Sequence, residues 1–205
     1  MTLECKICGV SETETLKYII NHPFPPKFIG FIINYPKSKR FVKLDKLKKL
    51  IDINKKKSKF VAVLVKPNNE ILENIKNFNF DYYQIYDCSP KKIKYIKLKY
   101  NKKIISAITV ENKLDVNKYR EFTPFSEIIL FDSKGYDKSI GFNHNLLQNI
   151  PHSLKKMIAG NIKINDISNF KNKNYIIDLS GALENIAGKK NKNKINKFLM
   201  EVKKL

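Results

Sequence analysis

Leu3-Glu4-Cys5-Lys6-Ile7-Cys8-Gly9 alternates apolar and polar side chains and ends in a thiol followed by glycine. Successive side chains on a strand point to opposite faces. Leu3, Cys5 and Ile7 therefore share one face, and Glu4, Lys6 and Cys8 share the other. The apolar set suits packing beneath helices. The second set then faces the inside of a closed sheet, where a buried Lys6 needs a carboxylate partner that Asp178 or Asp132 could supply. Gly9 allows a sharp turn and leaves Cys8 at the carboxyl end of the strand. The spacing Cys5-x-x-Cys8 invites a redox pair or half of a zinc site. Strand parity sends the two thiols apart, and His22, His144 and His152 show no ligand spacing, so both readings fail.

The rest of the chain repeats a strand-then-helix pattern. Ser11 and Glu14 form a capping-box signature for a helix over 12–21, which Pro23, Pro25 and Pro26 end. A near-continuous apolar run over 28–34 reads as a strand buried on both faces, followed by a loop over 35–40 and a helix over 44–51. Strands follow at 60–65, 82–86, 104–110, 128–132, 156–159 and 175–180. Helices follow at 70–77, 90–100, 117–122, near Leu146, at 165–170 and at 194–203. Pro90 suits the first turn of its helix. Eight such units imply a parallel sheet, and eight in one chain point to a single (β/α)8 barrel domain over 1–205, at the small end of its size range. An open doubly wound sheet would carry a Gly-rich turn after its first strand; Gly9 stands there alone.

The chain has 205 residues, 40 of them Lys or Arg against 19 Asp or Glu, for a net charge of +21. Nucleic acid, an anionic membrane and an anionic small substrate are the partners such a charge admits. Arg40 and Arg120 are the only arginines. Readers of bases and phosphates lean on the forked guanidinium, and the lysines are spread along the chain, so a solvated Lys-rich surface is the better reading. Its field still attracts a phosphorylated substrate. No apolar run is long enough to span a membrane, Glu4 and Lys6 interrupt the early apolar stretch, and three cysteines without scaffold spacing favour a reducing cytoplasm. Neither nucleic acid nor membrane is expected as a partner.

In a barrel of this kind reactive side chains sit at the carboxyl ends of strands. Those positions hold Cys8, Asn34, Gln84, Tyr86, Asp132, Gly160, Asn161, Asp178 and Ser180. Cys8 is either an inert small hydrophobe or a functional thiol. Asp132 is either a turn former or a general acid or base. Gly160-Asn161 and Ser180-Gly181 are either ordinary turns or the phosphate site that such barrels build after strands seven and eight.

Together these motifs resemble the phosphoribosylanthranilate isomerase family. Lys6-Ile7-Cys8-Gly9 looks like its first strand, and the segment from Gly30 to Arg40 (GFIINYPKSKR) like its second strand and loop. Tyr83-Gln84-Ile85 stands where the family has its fourth-strand glutamine. Phe131-Asp132-Ser133 resembles the end of the sixth strand. Ile177-Asp178-Leu179-Ser180, with Glu184 and Gly188-Lys189-Lys190, resembles the eighth strand and its loop. The resemblance implies a cofactor-free, metal-free barrel, monomer or homodimer, that performs an Amadori rearrangement in tryptophan biosynthesis. By position it implies Cys8 as general base and Asp132 as general acid, with Arg40 on the substrate carboxylate. It also implies Gln84, Gly160, Asn161, Asp178, Ser180 and Gly181 as substrate-binding residues. The chain departs from the family at Tyr86, where a histidine is usual. Other departures are Gly160-Asn161 for Gly-Gly, Ser180-Gly181-Ala182 for Ser-Ser-Gly, and a reduced glycine loop over 135–141. A barrel that binds a phosphorylated ligand without this chemistry is the alternative. The related histidine-pathway isomerase places Asp, not Cys, at the end of its first strand.

Overall fold

The computed structural model describes residues 3–134, 141–171, 173–186 and 188–205. Eight parallel strands close into a barrel in sequence order: β1 (Glu4–Cys8), β2 (Phe28–Ile32), β3 (Lys59–Val65), β4 (Tyr82–Tyr86), β5 (Lys103–Val110), β6 (Ile128–Ser133), β7 (Lys156–Ile158) and β8 (Tyr175–Leu179). Closure comes from β1 pairing with β8, which sets Lys6 beside Asp178. Apolar runs such as Phe60–Leu64 are buried because helices cover one side of the sheet and barrel packing the other.

Helices α1 (Thr13–Asn21), α2 (Leu44–Ile51), α3 (Asn69–Ile75), α4 (Pro90–Tyr100), α5 (Lys113–Asn117) and α6 (Tyr119–Phe122) lie between the strands. Their apolar stripes, such as Leu16, Ile19 and Ile20 on α1, meet the outward residues Ile7, Ile29, Ile85 and Ile177 of the strands. The inner core is smaller and includes Phe28, Val61, Ile105, Leu130, Met157 and Ile176. Between β8 and the last helix α7 (Lys192–Lys203), an antiparallel pair, β9 (Glu184–Ile186) and β10 (Lys189–Lys190), forms a hairpin that the sequence pattern did not announce.

Several expected details differ. The capping box at Ser11 and Glu14 does not form. Leu16 N–H bonds to the Glu12 carbonyl, so Glu12 takes the cap position, without a side-chain cap bond, and Ser11 lies one residue outside. The second strand stops at Ile32, and Asn34 continues the edge with its side chain: its amide donates to the Val65 carbonyl and accepts from the Val65 N–H, both at 2.8 Å. The fifth helix begins at Lys113, not Asn117, because Asn112 and Asp115 cap it reciprocally. After β6 and β7 the expected helices are short 3₁₀ turns, His144–Leu147 and Ile164–Phe170. The reduced glycine loop over 135–140 lies outside the described residues. Among the described residues no helix is long and apolar enough to cross a membrane.

Candidate active site

The strand ends surround a cavity of about 470 Å³, lined by Cys8, Arg40, Tyr86, Asp132, Asp178 and Ser180 among others. Cys8 and Asp132, remote in sequence, open onto the same space. Parity explains the selection. Cys5 packs in the outer core, where burial pushes its thiol up to about 12, whereas Cys8 belongs to the inner cluster.

Below Cys8, the Lys6 ammonium donates to Asp178 Oδ2 at 2.6 Å, and both side chains are almost fully buried. Gly30 on β2 makes room: a Cβ there would lie 3.1 Å from both Cys8 Sγ and Lys6 Cε. Burial alone pulls the Lys6 ammonium down, but the Asp178 carboxylate and the Cys8 sulfur outweigh it and raise its pKa. Burial pushes the Cys8 thiol up, while Lys6 and Lys190 pull it down and Asp178 adds to the rise. Among the described residues Asp178 Oδ1 has no hydrogen-bond partner, and Asp178 lines the cavity.

Across the mouth, Asp132 is held by two donors: Tyr86 Oη on Oδ2 at 2.9 Å and the Ser133 N–H on Oδ1 at 2.8 Å. Burial lifts the Asp132 carboxyl to about 6; Tyr86 and Ser133 N–H oppose the rise, and the nearby Asp178 adds to it. Gln84 points inward one layer lower. It is fully buried and donates from Nε2 to Tyr86 Oη at 3.1 Å, beneath the cavity surface. Gln84 is not among the residues that line the cavity, whereas Tyr86, the last inward residue of β4, is.

Arg40 comes from the loop after β2. Its Nε and Nη2 donate to Glu184 Oε1 and Oε2 at 2.7 and 2.9 Å. The arginine passes directly over Gly9, where a Cβ would sit 2.5 Å from Arg40 Cδ and φ is +74°; only glycine fits. One edge of the guanidinium is thus occupied, and the Nη1–Nη2 edge remains for a second carboxylate. Glu184 also accepts from Lys190 Nζ at 2.5 Å and from the Gly188 N–H at 2.9 Å. Burial pushes Glu184 up, yet Arg40, Lys190 and the Gly188 N–H together pull its carboxyl down to about 2.

The ends of β7 and β8 form the third side of the cavity, with Gly160, Asn161, Ser180, Gly181 and the side chain of Lys163. Gly160 has φ +93°, and Ser133 would stand 2.9 Å from a Cβ there. Asn161 adopts φ +53°, the left-handed conformation that Asn tolerates. Ala182 stays out of that region, inside a 3₁₀ turn over Gly181–Leu183. Ser180 Oγ donates to the Cys8 carbonyl at 3.1 Å, tying the end of β8 to the end of β1. Asn34 lies outside the cavity wall, engaged with Val65. Sequence reasoning gave no role to Glu184, Lys190 or Lys163. The first two follow a strand end in a Gly- and Lys-rich turn, which is a weak signal without the contact to Arg40.

The family model described as "N-(5'phosphoribosyl)anthranilate (PRA) isomerase" matches residues 5–201. An N-(5'-phosphoribosyl)anthranilate isomerase from Campylobacter jejuni is 33% identical over 98% of this chain and 100% of its own length. Among solved structures, the phosphoribosyl anthranilate isomerase from Thermotoga maritima superposes with a TM-score of 0.85 at 21% identity, over 99% of this chain and 100% of that one. A structure of such an isomerase in complex with reduced 1-(o-carboxyphenylamino)-1-deoxyribulose 5-phosphate gives 0.83 at 20% identity, over 99% and 100%. The last two show the fold, and the sequence matches show the lineage: the chain belongs to the N-(5'-phosphoribosyl)anthranilate isomerase family.

Proposed function

We propose that this chain, as one barrel domain, converts N-(5'-phosphoribosyl)anthranilate to 1-(2-carboxyphenylamino)-1-deoxyribulose 5-phosphate, with Asp132 as general acid and Cys8 as general base. The observation that carries this reading is the placement of one carboxyl and one thiol on the same cavity, each beside groups that tune it. Family membership supports the reaction class, and the complex of the solved relative with a reduced product supports the ligand class.

Protonated Asp132 gives its proton to the furanose ring oxygen. The bond from that oxygen to C1′ breaks, and the anthranilate nitrogen shares its electron pair to form a protonated Schiff base. The Cys8 thiolate removes the proton from C2′. The released pair forms the C1′–C2′ double bond and returns the nitrogen's pair, giving an enolamine that tautomerises to the ketone. Acid and base act on opposite sides of the sugar, as the reaction requires. An acid whose pKa is about 6 holds its proton in part of the population at neutral pH. Lys6 and Lys190 supply the positive field that the Cys8 thiolate needs in a buried place.

Arg40, fixed by Glu184, offers its free edge to the anthranilate carboxylate. Asp178 lines the cavity, and its Oδ1, without a partner among the described residues, accepts a substrate hydroxyl. Gly160, Asn161, Ser180 and Gly181 cradle the phosphate, with Lys163 adding charge. Gln84 acts from beneath through Tyr86.

The test is loss of anthranilate-type fluorescence when purified protein meets phosphoribosylanthranilate, together with rescue of a tryptophan auxotroph lacking this isomerase. Turnover is expected. A protein that binds the phosphorylated ligand but leaves fluorescence unchanged would overturn the reading in favour of a binding barrel.

A further inference from the structure

Gln84 and Tyr86 are both inward residues of β4, and together with Asp132 they form a chain of hydrogen bonds: Gln84 Nε2 to Tyr86 Oη at 3.1 Å, then Tyr86 Oη to Asp132 Oδ2 at 2.9 Å. A phenol has one proton to give. With a Gln84 N–H pointed at the phenol oxygen, that proton is left for Asp132. The remaining Asp132 oxygen takes the Ser133 N–H at 2.8 Å, so each carboxyl oxygen already has one fixed donor.

We propose that Tyr86, oriented by Gln84, is a positioning residue that locks the rotamer of Asp132 and sets the pH at which Asp132 gives up its proton. The functional meaning rests on Asp132 being the acid; the hydrogen-bond coupling does not. Both donors favour the ionised carboxyl, which is the form left behind once the proton has gone to the substrate. Charge therefore develops on Asp132 where two donors already wait, and no water need reorganise. Without them, burial alone would hold the proton too tightly at neutral pH. Tyr86 is suited to this task because its own hydroxyl is pushed well above its usual range, chiefly by burial and then by Asp132, so it stays a donor throughout.

Other groups face Asp132 from several elements. Lys6 from β1 and Asp178 from β8 act on it, and Cys8 from β1 and Lys163 from the segment after β7 line the same cavity. The β5 residue in register with Asp132 is Thr109, which carries no charge. Lys6 and Asp178 act on Asp132 with opposite sign, and their own pairing keeps them in place whatever stands at position 86.

The test is a carbon NMR titration of the Asp132 carboxyl in the free protein, assigned by its disappearance in Asp132→Asn. Losing a donor to a charged acceptor raises the Asp132 pKa by about one unit in Tyr86→Phe, a tenfold change in the protonation equilibrium. Site-specific replacement of Tyr86 by a ring-fluorinated tyrosine keeps the shape and strengthens the donor, so the pKa moves down. That variant also keeps the test decisive if the phenylalanine protein does not fold. The low-pH limb of kcat/KM should follow in each case. Titration curves that coincide with the parent in both variants would overturn the proposal. Because the NMR readout uses no substrate, absent turnover in the parent would count against the isomerase reading and leave the coupling measured.

Discussion

Replacing Lys6 with methionine removes the charge and keeps an unbranched side chain of similar length. Lys6 is 0% exposed and its ammonium lies 2.6 Å from Asp178 Oδ2, with Asp178 also buried. Removing one partner of a buried pair costs about 3–5 kcal/mol, because the other charge stays in the low-dielectric interior. That is a large part of the stability of an ordinary domain, about 5–15 kcal/mol. The variant can escape part of the cost by protonating Asp178, which gives the loss a pH signature. In Lys6→Met the folded Asp178 holds its proton above the unfolded value of about 3.9. The folded state then binds more protons than the unfolded one, and stability falls by about 1.4 kcal/mol per pH unit as pH rises. The expected loss relative to the parent is therefore about 1.5 kcal/mol at pH 5 and the full ~3–5 kcal/mol at pH 8. Urea unfolding at the two pH values, with equal slopes, measures it. Lys6→Met with Asp178→Leu should regain much of the stability, since a buried pair exchanged for apolar groups is close to neutral. A loss under about 1 kcal/mol, the same at both pH values, would refute the reasoning.

Other outcomes follow from the same geometry. If Asp132, near 6, is the acid and Cys8, above the ordinary thiol range, the base, then protonated Asp132 with thiolate Cys8 is a minor species of constant abundance between the two values. The kcat/KM profile should thus fall below pH ~6, stay flat through neutrality and fall again only at high pH; a single limb would remove one of the two groups. Arg40→Ala should raise KM for a substrate that carries the carboxylate, and Glu184→Gln should do so more mildly, because the Arg40 fork loses its anchor. Unchanged KM in both would exclude a carboxylate clamp. Glu184, held near 2, stabilises the fold above the ordinary glutamate pKa and loses that contribution as pH falls toward 2. Between the ordinary glutamate pKa and pH ~2, stability should accordingly fall more steeply in the parent than in Arg40→Ala/Glu184→Gln, which lacks that contribution at every pH because no depressed carboxyl remains at that site. Gly160→Ala, which would set a Cβ 2.9 Å from Ser133 at φ +93°, should weaken inorganic phosphate binding and cost about 1–3 kcal/mol of stability; equal affinity and stability would show that the turn relaxes freely.

The strand pattern was legible because β-rich apolar runs alternate with amphipathic segments, and parity alone placed Lys6 inside the barrel with Asp178 as one of two candidate partners. Parity also separated Cys5 from Cys8. What sequence could not give was depth. Gln84 and Tyr86 share an inward face, and only the closed barrel decides that Tyr86 meets the cavity while Gln84 lies beneath it. Arg40 was singled out by the family resemblance of the segment 30–40, but its edge-on pair with Glu184 depends on a hairpin whose strands, Glu184–Ile186 and Lys189–Lys190, are too short and too lysine-rich to show alternation. Ser11 misled because two adjacent residues can each begin the same helix, and the Leu16 N–H bond to the Glu12 carbonyl chose the later one.

The most direct measurement is the single-turnover rate of phosphoribosylanthranilate consumption, followed by fluorescence, in Cys8→Ala and Asp132→Asn beside the parent, with folding checked by unfolding curves. If one sulfur and one carboxyl divide the proton transfers, each variant should lose about 10²–10⁴-fold while remaining folded. Parent-like turnover in either folded variant would contradict the assignment of that residue, and parent-like turnover in both would leave the chemistry to other groups in the cavity.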